Sequence, residues 1–187
     1  MKEEILLAAR LKFMSDRKVI CTGNPDKPFT IASGIKKKYP NATFIHKSNG
    51  WDLTDPDLEP QLRQQFSKHN FFINASYIES GIQSKLLNLC KQSVKHCDVI
   101  NIGSTHEFGN AGPVDYQESK LDLRNLSLSL NTARFKTCHL ILGLLQNSAE
   151  PNYKRIDIDV VCDMITWVFQ QPFEIPIMCI DSKKAPW

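Results

Sequence analysis

Three side chains near the middle of the sequence have the types and the spacing of a proton-transfer site. Ser104 ends the apolar run 99–103, and Tyr116 and Lys120 follow twelve and sixteen residues later. A tyrosine and a lysine four positions apart share one face of a helix. There the ammonium would lower the pKa of the phenol, while the serine hydroxyl holds a substrate carbonyl oxygen. We therefore expect chemistry on a carbonyl or an alcohol; the alternative is an exposed helix pair.

A second candidate site follows the first apolar run of the chain. Thr22 and Gly23 lead through a polar stretch into a helical pattern. A strand, a glycine turn and a helix N-terminus form the place where a dinucleotide pyrophosphate binds. However, Lys27 and Phe29 stand where further glycines would allow close approach, and two prolines remove N–H donors. The sequence therefore predicts a phosphate loop that departs from the usual geometry.

The polar stretch after the second apolar run suggests an adenosine site. Lys47 and Ser48 have the chemistry to bind an adenosine 2′-phosphate, and Asp52 has the chemistry to accept a hydrogen bond from the adenine amino group. The alternative is a polar turn in which Thr54 or Asp55 caps the next helix. Both interpretations can hold, because they use different residues.

Histidines and cysteines point away from a metal site. The five histidines show no paired spacing, and none of the six cysteines forms a C-x-x-C pair. Most cysteines lie in apolar patterns, which predicts reduced core thiols in a cytoplasmic protein. His106 and Glu107 follow Ser104 on one loop, so a substrate contact is open to them, but an exposed loop pair is the favoured interpretation.

Composition sets the class of protein. A chain of 187 residues with a net charge of +3 fits one ordinary globular domain and gives no reason to expect nucleic acid as a partner. The cluster Lys36, Lys37 and Lys38 is read as a solvated helix end rather than a phosphate patch. No run of 18 apolar residues occurs, so the sequence predicts no membrane segment.

Strand-like and helix-like patterns alternate along the chain. Strands are expected at 18–22, 42–46, 71–75, 98–103, 137–142 and 175–180, with helices near 29–39, 57–69, 81–96, 115–134 and 157–171. This order predicts right-handed βαβ units, and therefore an α/β three-layer sandwich: a doubly wound, mostly parallel Rossmann-like sheet of about six strands. A helical pattern at 3–14 precedes it, so we divide the chain into an extension at 1–17 and one domain at 18–187. The segment 148–152 reads as a flexible loop.

Taken together, these motifs resemble the short-chain dehydrogenase/reductase family from about residue 18 to residue 180, which is nearly the whole chain. The residues that carry the resemblance occur in family order and near family spacing: Thr22-Gly23, Asp52-Leu53, Asn74-Ala75-Ser76, Ser104, Tyr116 and Lys120. Ser76 replaces the glycine of the family's Asn-Ala-Gly element, and Gln83 takes the place of its helix asparagine. The chain looks like a compact branch, since one strand connects directly to Asp52.

The resemblance implies an NAD(P)(H)-dependent oxidoreductase. Tyr116 would be the general acid or base, Lys120 would lower its pKa and bind the nicotinamide ribose, Ser104 would polarise the carbonyl, and Gln83 would support proton transfer. The implied cofactor-binding residues are Gly23, Asn24, Lys27, Lys47, Ser48, Asp52, Leu53, Asn74, Ala75 and Ser76. Lys47 and Ser48 favour NADP(H) over NAD(H). The resemblance also implies a homodimer or homotetramer through helices 81–96 and 115–134.

The altered loop leaves two other functions open. In the first, the chain is an inactive scaffold without a cofactor, and Phe29 fills the former pyrophosphate site. In the second, the chain binds the dinucleotide without turnover. A groove beside Gly23 that is open rather than plugged by Phe29 would favour an active or formerly active enzyme.

Overall fold

The computed structural model describes residues 17–109, 112–145, 153–171, 174–181 and 183–184. The helix expected at 3–14 and the loop expected at 148–152 lie outside these residues. In the described part, every strand and helix expected between residues 18 and 180 is present, with its ends displaced by at most a few positions.

Six parallel strands form the central sheet. They are β1 (Val19–Thr22), β2 (Thr43–Ile45), β3 (Phe71–Asn74), β4 (Cys97–Ile102), β5 (Phe135–Leu142) and β7 (Ile177–Ile180), in the spatial order β2-β1-β3-β4-β5-β7. The order reverses between β1 and β3, so the carboxyl ends of these two strands flank a switch point, where open α/β sheets bind ligands. A short antiparallel pair, β6 (Tyr153–Lys154) with β8 (Lys183–Lys184), was not expected from the sequence.

Helices cover both faces of the sheet. They are α1 (Ile31–Lys38), α2 (Glu59–Ser67), α3 (Ile82–Ser93), α4 (Val114–Leu130) and α5 (Ile158–Gln170). On one face α1 and α5 pack in a core with Cys21, Phe71 and Leu140. On the other face α2, α3 and α4 pack in a second core with Ile20 and Phe72. Because neighbouring residues of a strand point to opposite faces, the continuous apolar runs of β1 and β3 supply both cores.

The helices begin and end at recognisable residues. Thr30 caps α1: its side chain accepts a hydrogen bond from the Ser33 amide, and the Ser33 hydroxyl accepts one from the Thr30 amide. At the other end of α1, Lys36, Lys37 and Lys38 form ion pairs with Asp26, Asp159 and Asp163. The lysine cluster is therefore a solvated, charge-paired helix end, where cations also suit the helix dipole.

The described cysteines are unpaired thiols. Five of them are buried, as expected, but Cys179 is exposed, so the interpretation of every cysteine as a core residue was wrong for this one. Cys179 lies on β7, an edge strand of the sheet, where alternate side chains face outwards. None of the helices in the described ranges combines the length and the apolar character needed to cross a membrane.

Candidate active site

The carboxyl end of β4 brings Ser104, Tyr116 and Lys120 to one cavity. Ser104 caps a short 3₁₀ turn (Thr105–Phe108), and its hydroxyl oxygen accepts a hydrogen bond from the His106 amide at 3.3 Å. Tyr116 and Lys120 lie in the first turns of α4. All three side chains line a cavity of about 660 Å³. The serine, tyrosine and lysine chosen from their spacing therefore meet in space.

The Lys120 ammonium is buried and fully engaged. Its Nζ donates hydrogen bonds to Gln83 Oε1 at 2.6 Å and to the Ile102 carbonyl at 2.8 Å. The rings of Tyr77 and Tyr116 both lie 5.4 Å from Nζ, within range of cation–π attraction. Burial lowers the pKa of Lys120 to about 8, against a weaker opposing effect of Glu107. The ammonium therefore gives up its proton at a much lower pH than an exposed lysine does.

Gln83 belongs to a buried polar chain that joins the strands to the helices. Its Nε2 donates to the Asn74 carbonyl at 2.8 Å, and Asn74 Nδ2 donates to the Gln83 carbonyl at 2.8 Å and to Asn101 Oδ1 at 3.0 Å. Asn101 Nδ2 in turn donates to the Ser127 hydroxyl at 3.1 Å. Because each buried polar group is costly without a partner, this reciprocal bonding fixes Gln83 in place for Lys120.

The Tyr116 phenol has a raised pKa. Burial is the main cause, and the neighbouring Tyr77 and Glu107 add to it, whereas the Ser104 hydroxyl lowers the pKa. The expectation that Lys120 lowers the pKa of Tyr116 below its usual value is therefore wrong for this structure. The lysine points its donors at Gln83 and the Ile102 carbonyl. At neutral pH the phenol keeps its proton and is suited to donate it.

The turn after β1 forms a cradle next to this cavity. Thr22 Oγ1 accepts hydrogen bonds from the amides of Ala75 and Ser76 at 2.8 and 2.9 Å, which ties the ends of β1 and β3 together. Gly23 has φ of +127°, and a Cβ there would lie 3.1 Å from both Ala32 Cβ and Ser76 Oγ. Only glycine fits this close passage without strain.

Phe29 does not plug the groove beside Gly23. Its side chain is 53% exposed, and its backbone has φ of +56°. The groove there has a volume of about 360 Å³, and Asn24, Lys27 and Ser76 are among its lining residues. It shares Ile31, Ala75, Tyr77 and Leu145 with the cavity around Tyr116. Two adjoining open cavities therefore lie between the glycine turn and the tyrosine.

Comparisons with known proteins address the fold. No protein-family model matches the sequence, and no curated protein matches it. Among solved structures, a short-chain dehydrogenase/reductase described as a glucose/ribitol dehydrogenase from Brucella melitensis superposes with a TM-score of 0.66 at 10% identity, covering 88% of this chain and 95% of the other. A bulky-bulky ketone specific alcohol dehydrogenase from Comamonas testosteroni gives 0.67 at 12% identity, covering 86% and 85%. A 4-hydroxyisoleucine dehydrogenase complexed with NADH and succinate gives 0.66 at 14% identity, covering 88% and 98%.

This chain has the short-chain dehydrogenase/reductase fold. The likeness extends over most of the described residues and over nearly the full length of the solved proteins. At identities of 10–14% it establishes the architecture. The chemistry of the groove has to be argued from the side chains that line it.

The adenosine-site candidates lie apart from the groove lining. Lys47 belongs to a 3₁₀ turn (Lys47–Asn49) after β2, and its Nζ lies 2.8 Å from Asp52 Oδ2. This contact and hydrogen bonds from Thr54 lower the pKa of Asp52 to about 2. Leu53 is buried in the core rather than exposed to a ligand. Within the short-chain dehydrogenase/reductase fold of this chain, Lys47, Ser48 and Asp52 thus form an exposed turn at the end of β2.

Glu107 is not the exposed loop residue that the sequence favoured. Its side chain is fully buried, with Oε1 3.2 Å from His139 Nε2 and Oε2 3.5 Å from Arg124 Nη1. His106, its neighbour, is half-buried, and its ring packs edge-on against Tyr116 with centroids 5.7 Å apart. Sequence reasoning missed His139 and Arg124 because their spacing from Glu107 carries no local signal. They meet it only because β5 and α4 flank the turn.

The described residues contain no group of three or more His, Cys, Asp or Glu side chains arranged to hold a metal ion. The polar groups that line the cavity include the Ser104 hydroxyl, the Tyr116 phenol and the Lys120 ammonium, together with the side chains of His106 and Asp115. Such groups bind oxygen atoms and move protons.

Proposed function

We propose that this protein is an NAD(P)(H)-dependent oxidoreductase that reduces a carbonyl or oxidises an alcohol. The observation that carries the proposal is the groove formed by the two adjoining cavities, at the Gly23 cradle and at Tyr116, which Phe29 leaves open. A dinucleotide needs such a groove because it is an extended molecule, and its central pyrophosphate and its terminal nicotinamide require separate contacts. The NADH named for the solved 4-hydroxyisoleucine dehydrogenase supports the same class of cofactor here.

The groove has features that suit a dinucleotide at its cradle end. The amides of Ile31 and Ala32 open α1, and the Thr30–Ser33 cap leaves them free to face an anion at the positive end of the helix dipole. Lys27 lines the same end and can offset the missing glycine contacts by direct charge pairing. We assign Asn24, Ala75 and Ser76 to the walls of this cofactor site, with Asn74 behind them.

At the other end of the groove, the side chains supply the proton chemistry. The Ser104 hydroxyl oxygen accepts from the His106 amide, and the hydroxyl also interacts with the Tyr116 phenol, so both groups lie where one substrate carbonyl oxygen can contact them. Tyr116 has a raised pKa and holds a proton for the oxygen of that carbonyl. The hydrogen bond from Lys120 to Gln83 holds these two side chains in place next to the tyrosine. The bound nicotinamide would supply or receive the hydride.

We assign the preference for NADP(H) to Lys47 and Ser48. Lys47 is paired with Asp52, but its side chain is 82% exposed, and an exposed ion pair contributes little. A 2′-phosphate can therefore take the place of Asp52 as the partner of Lys47. The proposed partner is a small-molecule substrate, and the chemistry of the groove needs no metal.

The test is a titration of the purified protein with NADPH and NADH, followed by nicotinamide fluorescence. Wild type should bind NADPH saturably, and Lys47→Ala should weaken NADPH binding about tenfold while leaving NADH binding unchanged. Lys68→Ala, at an exposed position on the end of α2, is the matched control. Binding of neither cofactor at millimolar concentration would contradict the proposal and leave the scaffold function.

A second candidate function is nucleotide binding without turnover. It is favoured by Lys120, which lines the cavity but whose ammonium already donates to Gln83 and to the Ile102 carbonyl. The two functions separate in a screen of carbonyl substrates with NADPH. An enzyme loses turnover in Tyr116→Phe while it still binds the cofactor, whereas a binding protein shows no turnover in either form.

A further inference from the structure

A buried cluster of charged side chains lies under the Ser104 turn, outside the groove. Glu107 and His139 are both fully buried, and their Oε1 and Nε2 atoms are 3.2 Å apart. Arg124, 23% exposed, closes the cluster at 3.5 Å from the other carboxylate oxygen. Burying a carboxylate is expensive unless its partners are close and well placed. A core of apolar side chains would stabilise the fold at lower cost, so the position of this cluster calls for an explanation.

The cluster reaches Ser104 through the backbone. The amide of Glu107 donates to the Ser104 carbonyl at 3.0 Å, and the amide of His106 donates to the Ser104 hydroxyl oxygen. These two bonds define the orientation of the serine. The Glu107 carboxylate anchors this turn below the surface, through His139 and Arg124. Whatever holds Glu107 therefore holds Ser104.

The cluster also determines how closely the chain at Gly103 packs against the side chains beneath it. A Cβ at Gly103 would lie 2.4 Å from His139 Nε2 and 2.8 Å from Glu107 Oε1, so the chain passes directly over the pair. Arg124 comes from α4, one turn after Lys120, and its guanidinium carbon lies 5.9 Å from the Phe108 ring centroid at the end of the turn. The serine turn and the helix that carries Tyr116 are thus joined by one set of contacts.

We propose that Glu107, held by His139 and Arg124, is a positioning residue that fixes Ser104 against Tyr116 for the substrate carbonyl. The inference rests on the proposed function, since it assigns Ser104 its role there. Glu107 itself touches neither the groove nor a substrate. Its contribution comes from geometry: an error of about 1 Å in the position of a group that contacts the reacting atoms can lower the rate by up to about a hundredfold.

Glu107→Gln tests the inference because it weakens both ion pairs at nearly constant shape. The glutamine amide can still offer its oxygen to Arg124 and its NH2 group to the His139 ring, so the fold is expected to survive. Steady-state reduction by NADPH should show kcat lowered about tenfold and the dissociation constant of NADPH unchanged within twofold. Glu118→Gln, the same change at an exposed position of α4, should behave as wild type. If Glu107→Gln does not fold, Arg124→Gln is the second variant, with the same expected pattern.

The Ser104→Ala background separates positioning from a general structural role. Because Glu107 acts through Ser104, adding Glu107→Gln to Ser104→Ala should lower kcat less than twofold further. An equal loss in both backgrounds, or a kcat unchanged by Glu107→Gln, would overturn the inference and leave the proposed function intact. Absence of turnover in the wild type would instead overturn the proposed function and this inference with it.

Discussion

Phe29 adopts a backbone conformation that suits glycine. With φ of +56° it lies in the left-handed region, where an L-residue is strained by roughly 1–2 kcal/mol. The turn therefore follows a backbone path that suits glycine although phenylalanine stands there. The residue is more than half exposed, so the phenyl ring lies outside the groove rather than in it.

We predict that Phe29→Gly raises the free energy of unfolding by about 0.5–1 kcal/mol, because relief of strain outweighs the flexibility that glycine adds to the unfolded chain. Phe29→Ala is the matched control, since it removes the same ring but keeps the strain. Urea unfolding measures both. An alanine variant at least as stable as the glycine variant would show that Phe29 is not strained.

Glycine is required at position 103 for a different reason: the backbone leaves no room there for a side chain. We predict that Gly103→Ala lowers the free energy of unfolding by about 1–3 kcal/mol, because its methyl group would overlap His139 and Glu107. The matched test is the same change in a His139→Ala background, where part of the space is vacated. The cost measured by urea unfolding should then fall by at least half, and strictly additive costs would contradict the overlap.

At the scale of elements, α4 carries a buried charge that couples stability to pH. The pKa of Lys120 is about 8 in the folded chain and 10.5 when exposed. Below pH 8 the lysine is protonated in both states, and folding bears the cost of burying the ammonium. Between pH 8 and 10.5 the unfolded chain holds the proton more tightly, so stability gains as pH rises.

We therefore predict that the wild type gains up to about 3 kcal/mol of stability relative to Lys120→Met as the pH rises from 7 to 10.5. Comparing the two proteins removes the contribution of all other groups that titrate alike in both. The measurement is urea unfolding at half-unit pH intervals. A constant difference between the two proteins across this range would mean that Lys120 has an ordinary pKa.

Elements were far easier to predict from the sequence than the contacts between them. The apolar runs at 71–75 and 98–103 predicted strands, because a strand that is buried on both faces has apolar residues at consecutive positions. Strands β3 and β4 lie at these two runs. Ser104, Tyr116 and Lys120 could be chosen because strand order brings carboxyl ends together. The environment of each side chain could not be predicted in this way. Whether Lys120 faces Tyr116 or Gln83 depends on tertiary packing, which carries no periodic signal.

At the scale of the whole molecule, the sheet order explains why one groove serves two distant sequence segments. The glycine turn follows β1 and the serine turn follows β4, and only β3 separates these strands. Thr22 bonds the loop after β3 directly, and Asn74 bonds across to Asn101 on β4. The cradle and the proton-transfer end are therefore held at a fixed distance by a rigid sheet, as a two-ended ligand requires.

The resemblance also implies association through α3 and α4, which lie side by side on one face of the sheet. Leu128 on α4 is 40% exposed, and an apolar side chain in that position suits a helix-to-helix interface. We predict that the wild type is a dimer or larger in light scattering after size exclusion, and that Leu128→Lys raises the dissociation constant at least tenfold by burying an unpaired ammonium.

Val160→Lys is the matched control for that prediction, because Val160 is 48% exposed on α5, at the other face of the sheet. It should leave the assembly unchanged. Dissociation by Val160→Lys but not by Leu128→Lys would move the interface to the α5 face. A monomeric wild type at 100 times the working concentration would exclude the interface altogether. The helix α4 also carries Tyr116 and Lys120. If the assembly forms through this helix, we expect Leu128→Lys to lower turnover in proportion to the fraction of monomer. Dilution of the wild type should lower turnover in the same way.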